Sequence, residues 1–137
     1  MKILFLDFDG VMMIMRGISG KKFSEPCIES LKEILKDEGV SVVISSSWRM
    51  YGLDEMKTMF KDNGLDPDRV IDITGNERGP RGYQIKCWLE RNGNPAKFVI
   101  LDDNSDMEPF INKLVKISPL IGLTKNDAKM AKKILNS

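Results

Sequence analysis

The sequence predicts an α/β domain whose central sheet is mostly parallel and flanked by helices. Two observations carry that expectation. Short apolar runs, rich in β-branched residues, alternate along the chain with segments whose apolar residues recur at helical spacing. The three strongest runs also end alike. Residues 3–6 lead into Asp7-Phe8-Asp9, residues 40–44 into Ser45-Ser46-Ser47, and residues 98–101 into Asp102-Asp103. Ligands of parallel sheets bind beyond the carboxyl ends of the strands, so these polar ends are expected to share one rim.

The elements follow in order. Residues 3–6 read as a buried strand. The stretch 12–23, with Gly17 and Gly20 in it and Gly10 just before it, reads as a turn or small flap. Ser24 and Pro26 mark a helix start. That helix carries Cys27, Ile28, Leu31, Ile34 and Leu35 on one face, and Gly39 closes it. Residues 40–44 form the second strand. Leu53, Met56, Met59 and Phe60 give a short amphipathic helix, ended by Asn63-Gly64, and 70–73 is a weaker strand. Pro80 suits the first turn of a helix bearing Ile85, Trp88 and Leu89, stopped by Asn92-Gly93-Asn94-Pro95. Residues 98–101 are the third strong strand. A helix is expected over 107–114 and a short strand over 115–117. Thr124 with Asp127 opens a last helix bearing Ala128, Ala131, Ile134 and Leu135 in the manner of a capping box.

The 137 residues amount to one domain, spanning 1–137, large enough for a real core. With 21 basic against 20 acidic residues, the net charge of +1 creates no strong global field for nucleic acid. The absence of histidine excludes Ser-His-Asp and Cys-His catalysis and every histidine metal site. Cys27 and Cys87 have no metal-type spacing and read as buried free thiols, which fits a reducing, cytoplasmic location. The first apolar run is broken by Asp7 and Asp9 and does not read as a leader. No apolar stretch is long enough for a membrane span, so no membrane association is expected. No repeat or interdomain linker is evident, and any kinase or ligase acting with this domain is expected on a separate chain.

Asp7 and Asp9 alternate on an extended segment and point the same way. With Asp102 and Asp103 they bring up to four carboxylates together, which is untenable at neutral pH without a cation. Hard oxygen donors favour Mg²⁺, and Mg²⁺ typically shares its shell with a substrate phosphate. A carboxylate can attack phosphorus and form an acyl phosphate; Asp7 is the candidate. Asp9 is placed to act as general acid and base. Ser45 would donate to a phosphoryl oxygen, and an Arg or Lys would complete the neutralisation.

LDFDGV, VVISSSW, the Arg-led RGYQIKCWL and VILDDNSD, in this order, resemble the four motifs of the haloacid dehalogenase-like (HAD) phosphatase superfamily. Together with the late GLTKNDAKMAKKIL they look like the small HAD domain of "Swiss Army Knife" RNA-repair proteins. The layout is also similar to the phosphatase half of phage polynucleotide kinase. The resemblance covers almost the whole chain and implies a single Rossmann-like, HAD-type domain. It makes Asp7 the nucleophile, Asp9 the general acid and base with its backbone carbonyl on the metal, and Ser45 the second-motif hydroxyl. Asp7, Asp9, Asp102 and Asp103 are then the metal set for Mg²⁺. The third-motif cation is assigned to Arg81, with Arg78 and Lys86 as alternatives. Ser46, Arg49, Arg78 and Gly10 are expected to bind substrate.

Residues 12–39 and 50–80 leave room for no inserted cap domain. A capless or minimally capped site admits a large substrate and exposes an acyl phosphate to water, favouring hydrolysis over transfer. The expected substrate is a phosphomonoester on a nucleic-acid end or nucleotide, a 3′-phosphate being favoured. The alternatives are a small-metabolite or phosphoprotein phosphatase, or a non-catalytic module that binds nucleic-acid ends. Each residue also has a structural reading. Asp7 and Asp9 would suit a solvated turn, the serines a polar loop and helix cap, and Arg81 and Arg49 a solvated surface. Asp106 could reach a metal through water or cap a helix. Trp88 reads as core, whereas Trp48 lies near the rim, where it could stack a base.

Overall fold

Strands whose residues are apolar on both faces need cover on both sides, and the architecture supplies it. The computed structural model describes residues 1–14 and 22–137. Its strands are β1 (Lys2–Leu6), β2 (Val40–Ile44), β3 (Val70–Ile73), β4 (Lys97–Asp102) and β5 (Leu114–Lys116). Its helices are α1 (Glu25–Leu35), α2 (Leu53–Asp62), α3 (Arg81–Arg91) and α4 (Lys125–Leu135). The sheet is parallel throughout, in the order β3-β2-β1-β4-β5. The α/β expectation is met, and the chain forms a Rossmann-like layer structure.

Alternation along each strand divides the core in two. Leu4, Leu6, Val42, Ile44, Val99 and Leu101 pack with residues of α1, α2 and α4. Ile3, Phe5, Val43 and Ile100 pack on the other side with Ile85, Trp88 and Leu89 of α3. The Phe5 ring meets Trp88 and Phe98 edge-on, at centroid distances of 5.4 and 5.9 Å. Thr124 and Asp127 form the capping box expected at the start of α4.

Two expectations need correction. Residues 107–114 are not a helix: they form a turn and a 3-10 turn at Ile111–Lys113, and Leu114 already belongs to β5. The residue before a proline is disfavoured in the helical region, so Glu108 before Pro109 breaks the run, leaving too few residues to nucleate a helix. Cys27 is buried as expected, but Cys87 is only half-buried; both are free thiols. The flap expected over 12–23 lies partly outside the described residues. Its described beginning is a tight turn in which the Phe8 carbonyl accepts the N–H groups of Val11, Met12 and Met13. Between β2 and β3 the chain adds only the 3-10 turns at Ser47–Tyr51 and Pro67–Arg69 and helix α2. Among the described residues no inserted domain stands over the strand ends, and no helix is long and apolar enough to cross a membrane.

Candidate active site

Register builds the site. Leu6 lies between Ile44 of β2 and Leu101 of β4. The next residue on each strand path is Ser45, Asp7 or Asp102, so these three stand side by side. The ladder carries on past Leu6: Ser45 N–H donates to the Leu6 carbonyl at 3.0 Å, and Asp7 N–H to that of Leu101 at 3.1 Å. All three share the parity of Phe5, Val43 and Ile100, whose face is covered by α3. Helix α3 therefore starts above them, and its first residue is Arg81. The strand order reverses between β1 and β4, which is where open α/β sheets bind ligands.

The acids are buried and fixed. Asp7 is 3% exposed and Asp102 fully buried. The Phe8 N–H donates to Asp7 Oδ1 at 2.9 Å, and Arg81 Nη1 lies 3.2 Å from Asp7 Oδ2. Arg81 Nη1 donates to Asp102 Oδ2 at 2.6 Å, while Asn104 N–H holds Asp102 Oδ1 at 2.9 Å. Asp103 completes a group in which oxygens of Asp7, Asp102 and Asp103 lie within 4.8 Å of one another. Burial and the Asp102 charge push the Asp7 carboxyl up to about 8, against the pull of Arg81. Burial raises Asp103 as well, helped by its hydrogen bond to Asp102. Burial opposes the Arg81 charge, but Asp7 and Asp102 outweigh it and hold the guanidinium protonated. Three carboxyl groups face one guanidinium, too few positive charges to balance all three once they ionise. All the donors are hard oxygens, so Asp7, Asp102 and Asp103 are the residues fit to hold a divalent metal ion.

Two glycines make the arrangement possible. Gly10 has φ +79°, and a Cβ there would collide with the Asp103 carboxylate. At Gly82, the second residue of α3, a Cβ would lie 2.7 Å from the Glu108 carbonyl oxygen and 2.8 Å from the Met107 carbonyl carbon. The Gly82 N–H also donates to the Asp106 carbonyl at 3.2 Å. The loop after β4 thus rests on the start of α3, which sets Arg81 over the acids. Sequence reasoning missed Gly82, although a glycine directly after a helix-starting arginine was a readable sign of close backbone approach.

The remaining candidates divide. Ser45 is fully buried and its Oγ has no hydrogen-bond partner, an exception that calls for an explanation. Ser46 is buried too, and its Oγ caps the Ser47–Tyr51 turn by accepting from Trp48 N–H at 3.2 Å. Asp9 lies outside the three-acid group; its Oδ2 accepts from the Trp48 indole N–H at 3.1 Å. Of the three cations weighed for the third motif, Arg81 reaches the acids, whereas Arg78 and Lys86 are exposed.

Two of the residues expected to bind substrate are engaged within the protein. Arg49 is buried at the end of β2. Its N–H groups go to the carbonyls of Ser45, Ser46 and Gly75 and to Gln84 Oε1, so it ties the β2 end to the loop after β3 and to α3. Gly10 does not offer its amide, which donates to the Met13 carbonyl at 2.7 Å; its contribution is room for Asp103. Gln84, which also donates to the Glu77 carbonyl at 3.0 Å, was not foreseen. Its partners lie far away in sequence.

Comparison with known proteins agrees with the fold. No curated protein matches the chain, and no solved structure does. One family matches residues 3–128, described as the HAD domain in Swiss Army Knife RNA repair proteins. That span includes both aspartate pairs, Ser45 and Arg81. The chain belongs to this family of HAD domains.

Proposed function

We propose that this domain is a Mg²⁺-dependent phosphatase that hydrolyses a phosphomonoester on a nucleic-acid end or nucleotide, a 3′-phosphate being favoured. The observation that carries the reading is the set of side chains at three adjacent strand ends. Buried Asp7 is gripped by Arg81, Asp102 and Asp103 stand beside it, and a fully buried, unpartnered Ser45 Oγ is one strand away. A structural core would have no use for three carboxyl groups crowded against one guanidinium and an orphan hydroxyl. The family's association with RNA repair and the lack of an inserted cap among the described residues support a large nucleic-acid substrate. Separate repair proteins are its natural partners, and the cytoplasm its expected location.

The chemistry needs two steps. The Asp7 carboxylate attacks phosphorus while the bond from phosphorus to the leaving oxygen breaks, and Asp9 gives that oxygen its proton. Asp9 then takes a proton from water. The resulting hydroxide attacks phosphorus, the bond to Asp7 breaks, and inorganic phosphate leaves with Asp7 restored as a carboxylate and Asp9 as an acid. Asp7 is pre-aimed by the Phe8 N–H and Arg81, so attack costs little reorganisation. Arg81 and the Ser45 hydroxyl would meet the phosphoryl oxygens as charge redistributes. Mg²⁺, held by Asp7, Asp102 and Asp103 and by the Asp9 backbone carbonyl, would supply charge neutralisation at those oxygens.

The test is phosphate release, with and without Mg²⁺, from an aryl phosphate, free nucleotides and oligonucleotides phosphorylated at the 3′ or 5′ end. The expected result is Mg²⁺-dependent release with preference for one oligonucleotide end. Release from small phosphates alone would move the enzyme to metabolism. No release from any of them would overturn the catalytic reading in favour of an end-binding module.

A further inference from the structure

We infer that Trp48, Met50 and Tyr51 form a subsite that stacks the base of the nucleoside bearing the phosphate. The inference rests on the phosphatase reading for its orientation. In an in-line displacement the leaving oxygen stands opposite the attacking carboxylate, and the acid that protonates it must touch it. That acid is Asp9, whose carboxylate is held by the Trp48 indole N–H at 3.1 Å. The leaving group must therefore lie against the Trp48 side of the site.

A groove of about 490 Å³ opens there, lined by Asp9, Ser47, Trp48, Met50 and Tyr51. Its size falls within the ~300–1,000 Å³ typical of small-molecule sites. The Trp48 and Tyr51 rings are 5.7 Å apart with 41° between their planes. Met50 and Tyr51 are 80% and 69% exposed. Three large apolar side chains in a row beside a charged centre leave hydrophobic surface wet, which a flat ligand would relieve. A thioether adds favourable contact with an aromatic ring. The lining is mixed, Asp9 and Ser47 being polar. A nucleoside matches it with sugar hydroxyls and a planar base. A phosphorylated serine or a sugar phosphate brings no planar aromatic ring, and a phosphotyrosine brings one without sugar hydroxyls. Stacking on aromatic side chains is worth roughly 5- to 150-fold in binding per base.

The experiment compares a 3′-phosphorylated oligonucleotide with the same strand ending in a base-less sugar phosphate, the pair being repeated with 5′-phosphates. A phosphotyrosine peptide is the third arm. Binding is read separately, by tryptophan fluorescence of the Asp7→Asn protein titrated with a nucleoside monophosphate or with inorganic phosphate. Trp88 is buried, so the responsive indole is Trp48, and the Trp48→Phe protein is the control. The expected KM is about tenfold higher for the base-less strand, Tyr51→Ala narrows that ratio, and the nucleotide quenches fluorescence where inorganic phosphate does not. Equal KM values with no quenching, while phosphate is released, would overturn the stacking subsite and leave the phosphatase standing. Quenching by the nucleotide with no release from any substrate would support the subsite and overturn the phosphatase. Preference for the phosphotyrosine peptide would overturn the nucleoside assignment.

Discussion

Asp7 should make the metal-free protein less stable as pH rises, and replacing it should remove that dependence. Its carboxyl is raised to about 8 in the folded chain by burial and by Asp102, while an unfolded aspartate titrates near 3.9. Between those values the folded state holds one proton that the unfolded state has released. Stability from this group is therefore full below about pH 4, falls through the interval, and is lost above about pH 8. The slope is set by one proton, about 1.4 kcal/mol per pH unit. From pH 5.5 to 7.5 the loss is about 2–3 kcal/mol, or roughly 10 °C in Tm for a chain of this size. Asn at position 7 keeps an oxygen to accept the Phe8 N–H and has no proton to exchange. Thermal melts of the wild type and Asp7→Asn in a chelator should thus diverge with pH, the variant becoming the more stable at pH 7.5. Titrating groups that do not interact with Asp7 are common to both proteins and cancel in the difference. Parallel Tm curves would refute the burial argument.

Further consequences are open to measurement. Metal binding must displace the Asp7 proton, so saturating Mg²⁺ should raise Tm more at pH 7.5 than at pH 5.5, and an equal rise at both would count against ligation by Asp7. Gly82→Ala places a methyl group against the Met107–Glu108 backbone; it should cost about 1–3 kcal/mol by denaturant unfolding and reduce turnover by shifting Arg81. Wild-type turnover in that variant would show that Arg81 needs no such seating. Arg49→Met leaves the Ser46 and Gly75 carbonyls without their donor and should cost about 2–3 kcal/mol, with amide exchange quickening in residues 74–78. Loss of binding with stability unchanged would restore Arg49 to the substrate.

The acids and Ser45 were legible because each follows an apolar strand, and a parallel register can only bring such ends together. Arg81 was legible because a cation at a helix start is disfavoured by the dipole and needs a partner, which Asp7 and Asp102 provide. What stayed hidden depends on contacts distant in sequence. Arg49 beside the serines looks like a ligand-binding cation until Gly75 and Gln84 take its N–H groups. Met107, Ile111 and Leu114 mimic helical spacing, yet Pro109 and docking on Gly82 decide the local course of the chain. The indole of Trp48 read as a ring near the rim; that its N–H holds Asp9 follows only from how the Ser47–Tyr51 turn is set.

The central claim is that Asp7 carries the phosphoryl group. In Asp9→Asn both steps lose their proton carrier, but an aryl phosphate whose phenolate leaves without a proton can still phosphorylate Asp7, so the intermediate should accumulate. Intact mass spectrometry of that variant after acid quench, with Mg²⁺ and such an aryl phosphate, should show one added phosphoryl group. It should be lost on treatment with hydroxylamine and map to the peptide containing Asp7. A phosphoryl group on another residue, or undiminished phosphate release by Asp7→Asn, would contradict the account.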